Sequence, residues 1–219
     1  NTQWHRVASE VGETRFMFDP PGVKKTAAGI SADIYNAVAH DTEIREMTII
    51  SPYVILAERS RNLIAQLTER GVKITLLTNS LHSTDNILAQ AAYANDKRWL
   101  LERGIEIHHY IGPDTIHGKT LIIDQGRRIM IGSYNFDPRS AFLNREIGTS
   151  FSATRDTTNT VVQDARSMWE DFLSRSHLVG ADGIPVGHDK EHPNAPGWKK
   201  FLMQLLRPIV AIPVVKNNL

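Results

Sequence analysis

Apolar residues recur along this chain with two different periods, and the alternation between them outlines its architecture. After a polar opening, MFDPPGVKK is rich in turn formers, with Pro20, Pro21 and Gly22 as breakers. Residues 26–41 carry Ile30, Ile34, Ala37 and Val38 at helical spacing and are predicted to form a helix. The run MTIISPYVI, residues 47–55, is predicted as a buried strand with Pro52 near its end. A helix through ERSRNLIAQLTER should follow and stop at Gly71, leading into the β-branched strand VKITLLTN from Val72 to Asn79. These three segments form a β-α-β unit.

The same alternation continues downstream. Residues 84–103 are predicted as a long helix with Thr84 as N-cap and Gly104 as its stop, before a strand in IEIHHY. Residues 117–124 and 128–132 should be two strands joined by a turn at Gln125 and Gly126. A strand near 146–151 and a helix over roughly 156–175, capped by Thr154 or Asp156, complete the pattern. Residues 180–197 are loop-rich, and the chain ends in WKKFLMQLLRPIVAIPVV. The pattern predicts an α/β fold with a mixed, largely parallel β-sheet flanked by helices on both faces. No internal repeat is evident.

Composition narrows the chemistry. At 219 residues the chain is one large domain or two small ones. Its 25 Lys plus Arg nearly balance 24 Asp plus Glu, so no basic field points to nucleic acid. With no cysteine, disulfides, thiolate metal sites and cysteine nucleophiles are excluded. No signal peptide is expected, and no apolar run is long enough to span a bilayer. The first residue is not Met, which leads to the expectation that the chain is cut from a longer precursor.

The segment HGKTLIIDQGRRIMIGSYNFD, residues 117–137, holds the candidate chemistry. In an extended chain, side chains two apart share a face, so His117 and Lys119 should project together and could touch one anion. The spacing reads His117-x-Lys119, four residues, Asp124, then Gly132-Ser133-x-Asn135. It resembles the HKD motif of the phospholipase D superfamily, H-x-K-x4-D followed by G-S-x-N. Six positions are satisfied together, which makes the match specific. Seven residues separate Asp124 from Gly132 where the family more usually has six, an extra residue that the turn around Gly126 can absorb. The segments LLTNSLHSTD, AYANDKRWLLERGIEIHHY and GSYNFDPRSAFLNREIG extend the likeness to the carboxy-terminal half of bacterial cardiolipin synthases, especially the C-type branch. It covers most of residues 20–175, and the final PVVKNNL adds to it.

The resemblance implies a phospholipase D-like catalytic half-domain over residues 1–180 with one HKD motif, and a loop and carboxy-terminal extension over 181–219. It implies phosphodiester chemistry on phospholipids, through a phosphohistidine, with neither metal nor cofactor. Lys119 would offset phosphate charge, while Ser133 and Asn135 would donate to its oxygens. In two-motif relatives the first-half histidine is generally the nucleophile, so His117 would be the general acid. Glu146 would hydrogen-bond the imidazole and fix its tautomer. Asp124 falls on the opposite strand parity and should brace the hairpin, Gly132 should be structural, and Arg139, Ser140 and Asn144 should shape the site or substrate groove. The implied partners are a phosphatidylglycerol-like phospholipid, a membrane surface, and a second HKD half from the same parent chain or a homodimer mate. Nucleic acid is not expected, and the implied location is the periphery of the bacterial inner membrane.

Three other features lie outside this motif. HDKEH, residues 188–192, fits the zinc pattern H-x-x-E-H, but Gly187 and Pro193 flank it and the required helix is not predicted. His108 and His109 are adjacent and should point oppositely on a strand, whereas His82 lies beyond a strand's carboxyl end, where α/β ligands gather. The apolar tail with its basic start either lies on a membrane interface or packs on the domain through Phe201, Leu205 and Leu206. Two rival functions stand beside phosphatidyl transfer: a homodimeric single-motif nuclease or phosphodiesterase, and a non-catalytic docking domain.

Overall fold

A computed structural model of the chain describes residues 11–21, 29–152 and 160–219. In chain order the elements are β1 (Thr14–Phe18), α1 (Ile30–Ala39), β2 (Glu46–Ile50), α2 (Glu58–Glu69), β3 (Lys73–Asn79), α3 (Ile87–Leu101), β4 (Glu106–Tyr110) and β5 (Thr120–Ile123). Then come β6 (Arg128–Gly132), α4 (Pro138–Phe142), β7 (Ile147–Ser152), α5 (Thr160–Ser174), β8 (Ser176–Leu178), α6 (Gly197–Val210) and α7 (Pro213–Lys216). The eight strands form one sheet in the order β1-β7-β6-β5-β2-β3-β4-β8.

The sheet is mixed and carries helices on both faces, as the alternating pattern implies. Its balance differs from the expectation of a largely parallel sheet. Only β2–β3 and β3–β4 pair in parallel, while the other five neighbouring pairs are antiparallel. The reason lies in the connections. Parallel neighbours need a long crossover, which α2 and α3 supply, whereas the tight turn after β5 can only reverse the chain.

Alternate residues of each strand face opposite layers. On one side Met47, Ile49, Ile74, Leu76, Ile107, Ile123 and Met130 pack beneath α1 and α2 and against Tyr93 and Leu100 of α3. On the other, Ile50, Leu77 and Tyr110 meet Met168, Trp169 and Phe172 of α5. α3 is rich in alanine where α6 lies on it: Ala89, Ala91, Ala92 and Ala94 cluster with Met203 and Val210. Small side chains let the two helices approach closely.

Several boundaries shift from the sequence-based ones. The strand predicted over 47–55 ends at Ile50, because Pro52 has no N–H for the ladder and its carbonyl instead accepts from Thr78 Oγ1 at 3.3 Å. Val54 rejoins through a single parallel bridge to Phe136. The cap of α3 is Asn86, whose side chain accepts from the Ala89 amide at 3.0 Å; Thr84 sits two residues earlier and its hydroxyl accepts from the Asn86 amide. The predicted caps Thr154 and Asp156, and the first residues of the helix predicted from 26, lie outside the described residues. Residues 188–192 are irregular backbone: Glu191 pairs with Lys97, and the His188 ring lies 4.5 Å from that of His177. His109 is buried against Tyr93 while His108 meets Glu106 and the edge of Trp169 on the other side.

The turn after β5 fixes one end of the sheet. Asp124 and Gln125 adopt left-handed backbone, φ 47° and 56°, followed by Gly126 at φ 110°. Asp124 Oδ1 accepts from the amides of Arg45 and Glu46 at 2.8 and 3.0 Å, and Oδ2 from Arg127 Nε at 2.9 Å. It therefore ties the hairpin to the start of β2. Asp124→Ala is expected to cost about 2 kcal/mol or more, because two backbone donors and a guanidinium lose an ionised acceptor. Asp124→Asn, which tolerates the left-handed backbone and keeps an acceptor, should cost less; urea denaturation of both variants measures the difference.

Candidate active site

The site lies at the carboxyl ends of β2 and β3 and at the start of β5. Asn79, the last residue of β3, is fully buried and closes a two-way amide pair with Ile116, Ile116 N to Oδ1 at 2.9 Å and Nδ2 to Ile116 O at 3.0 Å. Ser83 Oγ donates to the same Oδ1 at 3.2 Å. This pair fixes the backbone immediately before His117. Histidine 117 precedes the strand proper, which begins at Thr120, and its imidazole is exposed. The edge of the imidazole stands against Tyr53, ring centroids 6.3 Å apart and planes 81° apart. The Tyr53 hydroxyl in turn donates to Asp85 Oδ1 at 2.8 Å. Burial and that carboxylate raise the phenol to about 12.

The expectation that His117 and Lys119 meet is reproduced in the geometry. Lys119 Nζ is 2.9 Å from His117 Nδ1 and donates to the His117 carbonyl at 2.7 Å. The lysine is only 9 % exposed. Desolvation pulls its pKa below the ordinary lysine value, while Glu146, Asp137 and Asp85 oppose that shift. Three carboxylates thus offset part of the cost of burying this ammonium.

Gly132 and Ser133 end β6. A Cβ on Gly132 would sit 2.3 Å from the Ile147 carbonyl oxygen and 2.7 Å from Gly148 Cα, so only glycine permits this pairing with β7. The Ser133 hydroxyl donates to Glu146 Oε2 and accepts from Ile147 N at 3.0 Å. Glu146 is 4 % exposed, and its amide donates to Asp19 Oδ2 at 2.9 Å. Asp19 also accepts from Ile30 N at 3.1 Å, so one carboxylate joins β1, the start of α1 and the site. The hydrogen-bond partner of Glu146 differs from the one the resemblance implies: its carboxylate engages Ser133 and not the His117 ring. The imidazole lies beyond the buried strand end, within reach of Lys119 and Tyr53 instead.

Asn135, Asp137 and Ser140 form the wall after β6. Asn135 N donates to Ser140 Oγ at 3.1 Å, and Asp137 caps α4 by accepting from Ser140 N at 2.7 Å. The Asn135 side-chain Oδ1 is buried with no hydrogen-bond partner among the described residues. Since the amide's two ends exchange on a half-turn, this position can offer an N–H donor to an anion. Arg139 is exposed and hydrogen-bonds Asn144 at 3.3 Å, on the rim. Asp124 stands at the opposite end of β5. The structure thus brings Lys119 and His117 directly together, with Ser133 bonded to Glu146, one of the carboxylates whose charge acts on the lysine.

The sequence profile of the family described as "Cardiolipin synthase, PLD-like domain" matches residues 38–169. The chain belongs to that family. Escherichia coli K12 cardiolipin synthase C is 31% identical over 157 residues, which cover 62% of this chain and 33% of the relative. A cardiolipin synthase A of Buchnera aphidicola is 33% identical over 103 residues, 47% of this chain and 20% of its own length. The chain thus spans about a third or less of these curated relatives. Phosphatidylserine synthase of Haemophilus influenzae shares the fold, with a TM-score of 0.71 at 17% identity, over 94% of this chain and 48% of that one. Nuc of Salmonella typhimurium also shares it, TM-score 0.55 at 15% identity, over 76% of this chain and 97% of Nuc. The eight-stranded sheet flanked by helices is therefore the phospholipase D-like fold.

Sequence reasoning did not single out Asn79, Tyr53, Asp85, Asp19 or Asp137. Only Asn79 carried a signal, its place at the carboxyl end of a parallel strand. Asp137 is set apart by burial, which raises its pKa from 3.8 to about 6 against the pull of the Ser140 hydrogen bonds. The folded chain therefore binds a proton that the unfolded chain releases. The resulting stabilisation is complete below about pH 3.8 and lost as pH rises past about 6. Asp137→Asn keeps a capping oxygen and should abolish this decline: between pH 4 and 7 the wild type should lose on the order of 2–3 kcal/mol relative to the variant, read from urea midpoints.

Proposed function

We propose that this chain supplies one of two half-sites of an enzyme that transfers a phosphatidyl group, in the manner of a cardiolipin synthase, from a phosphatidylglycerol-like phospholipid to an alcohol, with hydrolysis when water replaces the acceptor. The observation that carries the reading is the nearly buried Lys119 ammonium against the exposed imidazole of His117. A phosphodiester repels nucleophiles by its own charge, so a fixed cation and aimed donors answer its main kinetic obstacle.

In the proposed reaction an imidazole nitrogen of the other half attacks phosphorus and the bond from phosphorus to the departing alkoxide breaks. The protonated imidazole of His117 gives its proton to that alkoxide. The acceptor hydroxyl then attacks the phosphohistidine and returns a proton to His117, and the P–N bond breaks. Lys119 and Asn135 hold the non-bridging oxygens, Ser133 holds the Glu146 carboxylate near Lys119, and Arg139 and Gly132 act on the rim and in the backbone. Two histidines in opposite protonation states are needed, and this chain offers one at the site. The fold unit fills nearly all of one solved chain and about half of another, so it is known both alone and as part of a longer chain. The second half is accordingly proposed to come from the same parent chain, with a homodimer mate as the alternative. The near-neutral charge favours lipid over nucleic acid as substrate. No helix among the described residues is long and apolar enough to cross a membrane, and a peripheral place at the bacterial inner membrane is part of the proposal.

Turnover of a soluble phosphodiester, followed over a wide range of protein concentration with and without the upstream half, tests the reading. Activity restored by the upstream half and reduced about 10²–10⁴-fold by His117→Ala is the expected result. Activity of the chain alone, rising faster than linearly with concentration, would favour the homodimeric phosphodiesterase; turnover indifferent to His117→Ala would end the proposal. Asn79→Ala should lower kcat with little change in KM, because it loosens the backbone that aims His117 rather than a group that binds substrate.

A further inference from the structure

Three features of the sequence that the proposed reaction leaves unused, the HDKEH segment, His109 and His82, converge in one place. Residues 180–195 are an irregular strap that returns beside β8, with Pro185 bridged to Val179. Backbone bonds hold its first part: the Gly180 amide donates to the Ile184 carbonyl at 2.7 Å, and the Val186 amide to the Leu178 carbonyl at 2.8 Å. Histidines hold the rest. His192 lines one small cavity with His82, His109 and His177, and the His188 ring lies 4.5 Å from that of His177. His82 Nδ1 is 3.0 Å from the Asn194 carbonyl oxygen. Beneath the strap, the Lys97 side chain is 7% exposed, donates to the Gly183 carbonyl at 2.9 Å and pairs with Glu191.

This packing has little room for added positive charge. The His192 side chain is 8% exposed, and its Nε2 is buried with no hydrogen-bond partner among the described residues, the Glu191 carboxylate standing 3.8 Å away. The cavity that it lines measures about 10 Å³, space for no more than one water. Lys97 on α3 and Lys200 and Arg207 on α6 act on the ring, His109 on β4 and His177 on β8 face the same cavity, and Tyr93 closes it behind His109 at 2.9 Å. Glu191 is the acid that opposes them, and Lys97 already engages it. We propose that residues 180–195 are a proton-sensitive latch, closed on β4, β8 and α3 while His192, His109 and His177 are neutral and released when the cluster takes up protons. Burial, with the three cations, lowers His192 from 6.5 to about 4; burial also lowers His109 and His177. The closed strap thus holds a proton less tightly than the open one. Closure is fully favoured above about pH 6.5 and is progressively lost as pH falls toward 4. Release has a place to act, since Asn194 meets His82, and Lys199 at the start of α6 donates to the carbonyls of His82 and Thr84 at 2.9 and 2.8 Å. Asp85 follows directly and holds Tyr53, which stands against His117. Acid would therefore loosen the support behind the site, a consequence that rests on the proposed reaction, whereas the latch itself does not.

Hydrogen-exchange protection of the Gly180 and Val186 amides, corrected for the intrinsic pH dependence of exchange, reads the latch without requiring catalysis. Between pH 7 and 5 it should fall roughly tenfold or more, the amount that one histidine shifted from 6.5 to about 4 provides, while the amides of β3 stay more protected throughout. His192→Gln, which keeps a polar group but cannot take up a proton, should flatten the fall. An undiminished fall in that variant would overturn the latch, as would loss of protection in β3 together with the strap, which would mean global unfolding. The imidazole proton signals of the unaltered chain give a second measurement should the variant not fold. The His192 ring should stay neutral until the two amides lose protection; its protonation near pH 6.5 with both amides still protected would show that the closed strap accommodates the charge and would end the proposal. Phosphodiester turnover separates this inference from the proposed function: indifference to His117→Ala defeats the enzyme reading and leaves the latch standing, whereas protection unchanged at pH 5 defeats only the latch.

Discussion

The surroundings of Lys119 answer one constraint, the cost of burying a lysine at the edge of an apolar core. An ammonium removed from water is costly unless opposite charge and hydrogen bonds surround it. The fold draws that charge from separate parts of the chain: Glu146 before β7, Asp137 at the cap of α4, and Asp85 beyond β3 all act on the lysine. Each of those carboxylates is itself restrained. Ser133 holds Glu146, the Ser140 amide holds Asp137, and Tyr53 holds Asp85. Those restraints also reach the motif itself, since Ser133 belongs to it and Tyr53 stands against the His117 ring.

Much of this was legible in the residues, and the misses have physical causes. The HKD spacing identified His117, Lys119, Ser133 and Asn135 because they lie within one short segment, where strand periodicity dictates who meets whom. The bracing position of Asp124 followed from parity and is seen in its bonds to Arg45 and Glu46. Asn79 and Asp19 reach the site across 37 and 127 positions of sequence, to Ile116 and Glu146, and no local pattern reports contacts of that length. The role of Glu146 shows the same limit: its neighbourhood is set by the close Gly132–Gly148 pairing, which brings Ser133 to it first. The β5–β6 reversal follows from a turn too short for a helical crossover, whereas the outer strands β1 and β8 lie beside partners far away in sequence, which the strand patterns themselves do not reveal.

The two faces of α6 divide what a helix usually combines. Its inner residues close the domain over the alanines of α3, and the outer residues are left without a protein partner among the described residues. Its cations are engaged with the domain: Lys199 with the carbonyls of residues 82 and 84, Arg207 with Asn95 and Lys216 with Asp96. Its anchor on residues 82 and 84 makes that outer surface part of the same local framework as Tyr53 and His117.

The pairing of β1 with β7 has a further consequence. Thr14 lies opposite Phe151, and Asp19 next to β1 bonds the Glu146 amide, so the chain's early and late portions close on each other. Contacts this distant form slowly, because the intervening loop must be closed before they return any energy. During synthesis the central β-α-β unit and the hairpin can fold while Glu146 still lacks its support. The setting of Glu146 is then among the last features to become rigid, and a chain interrupted before residue 146 would hold the motif's histidine and lysine but lack the carboxylate that Ser133 engages.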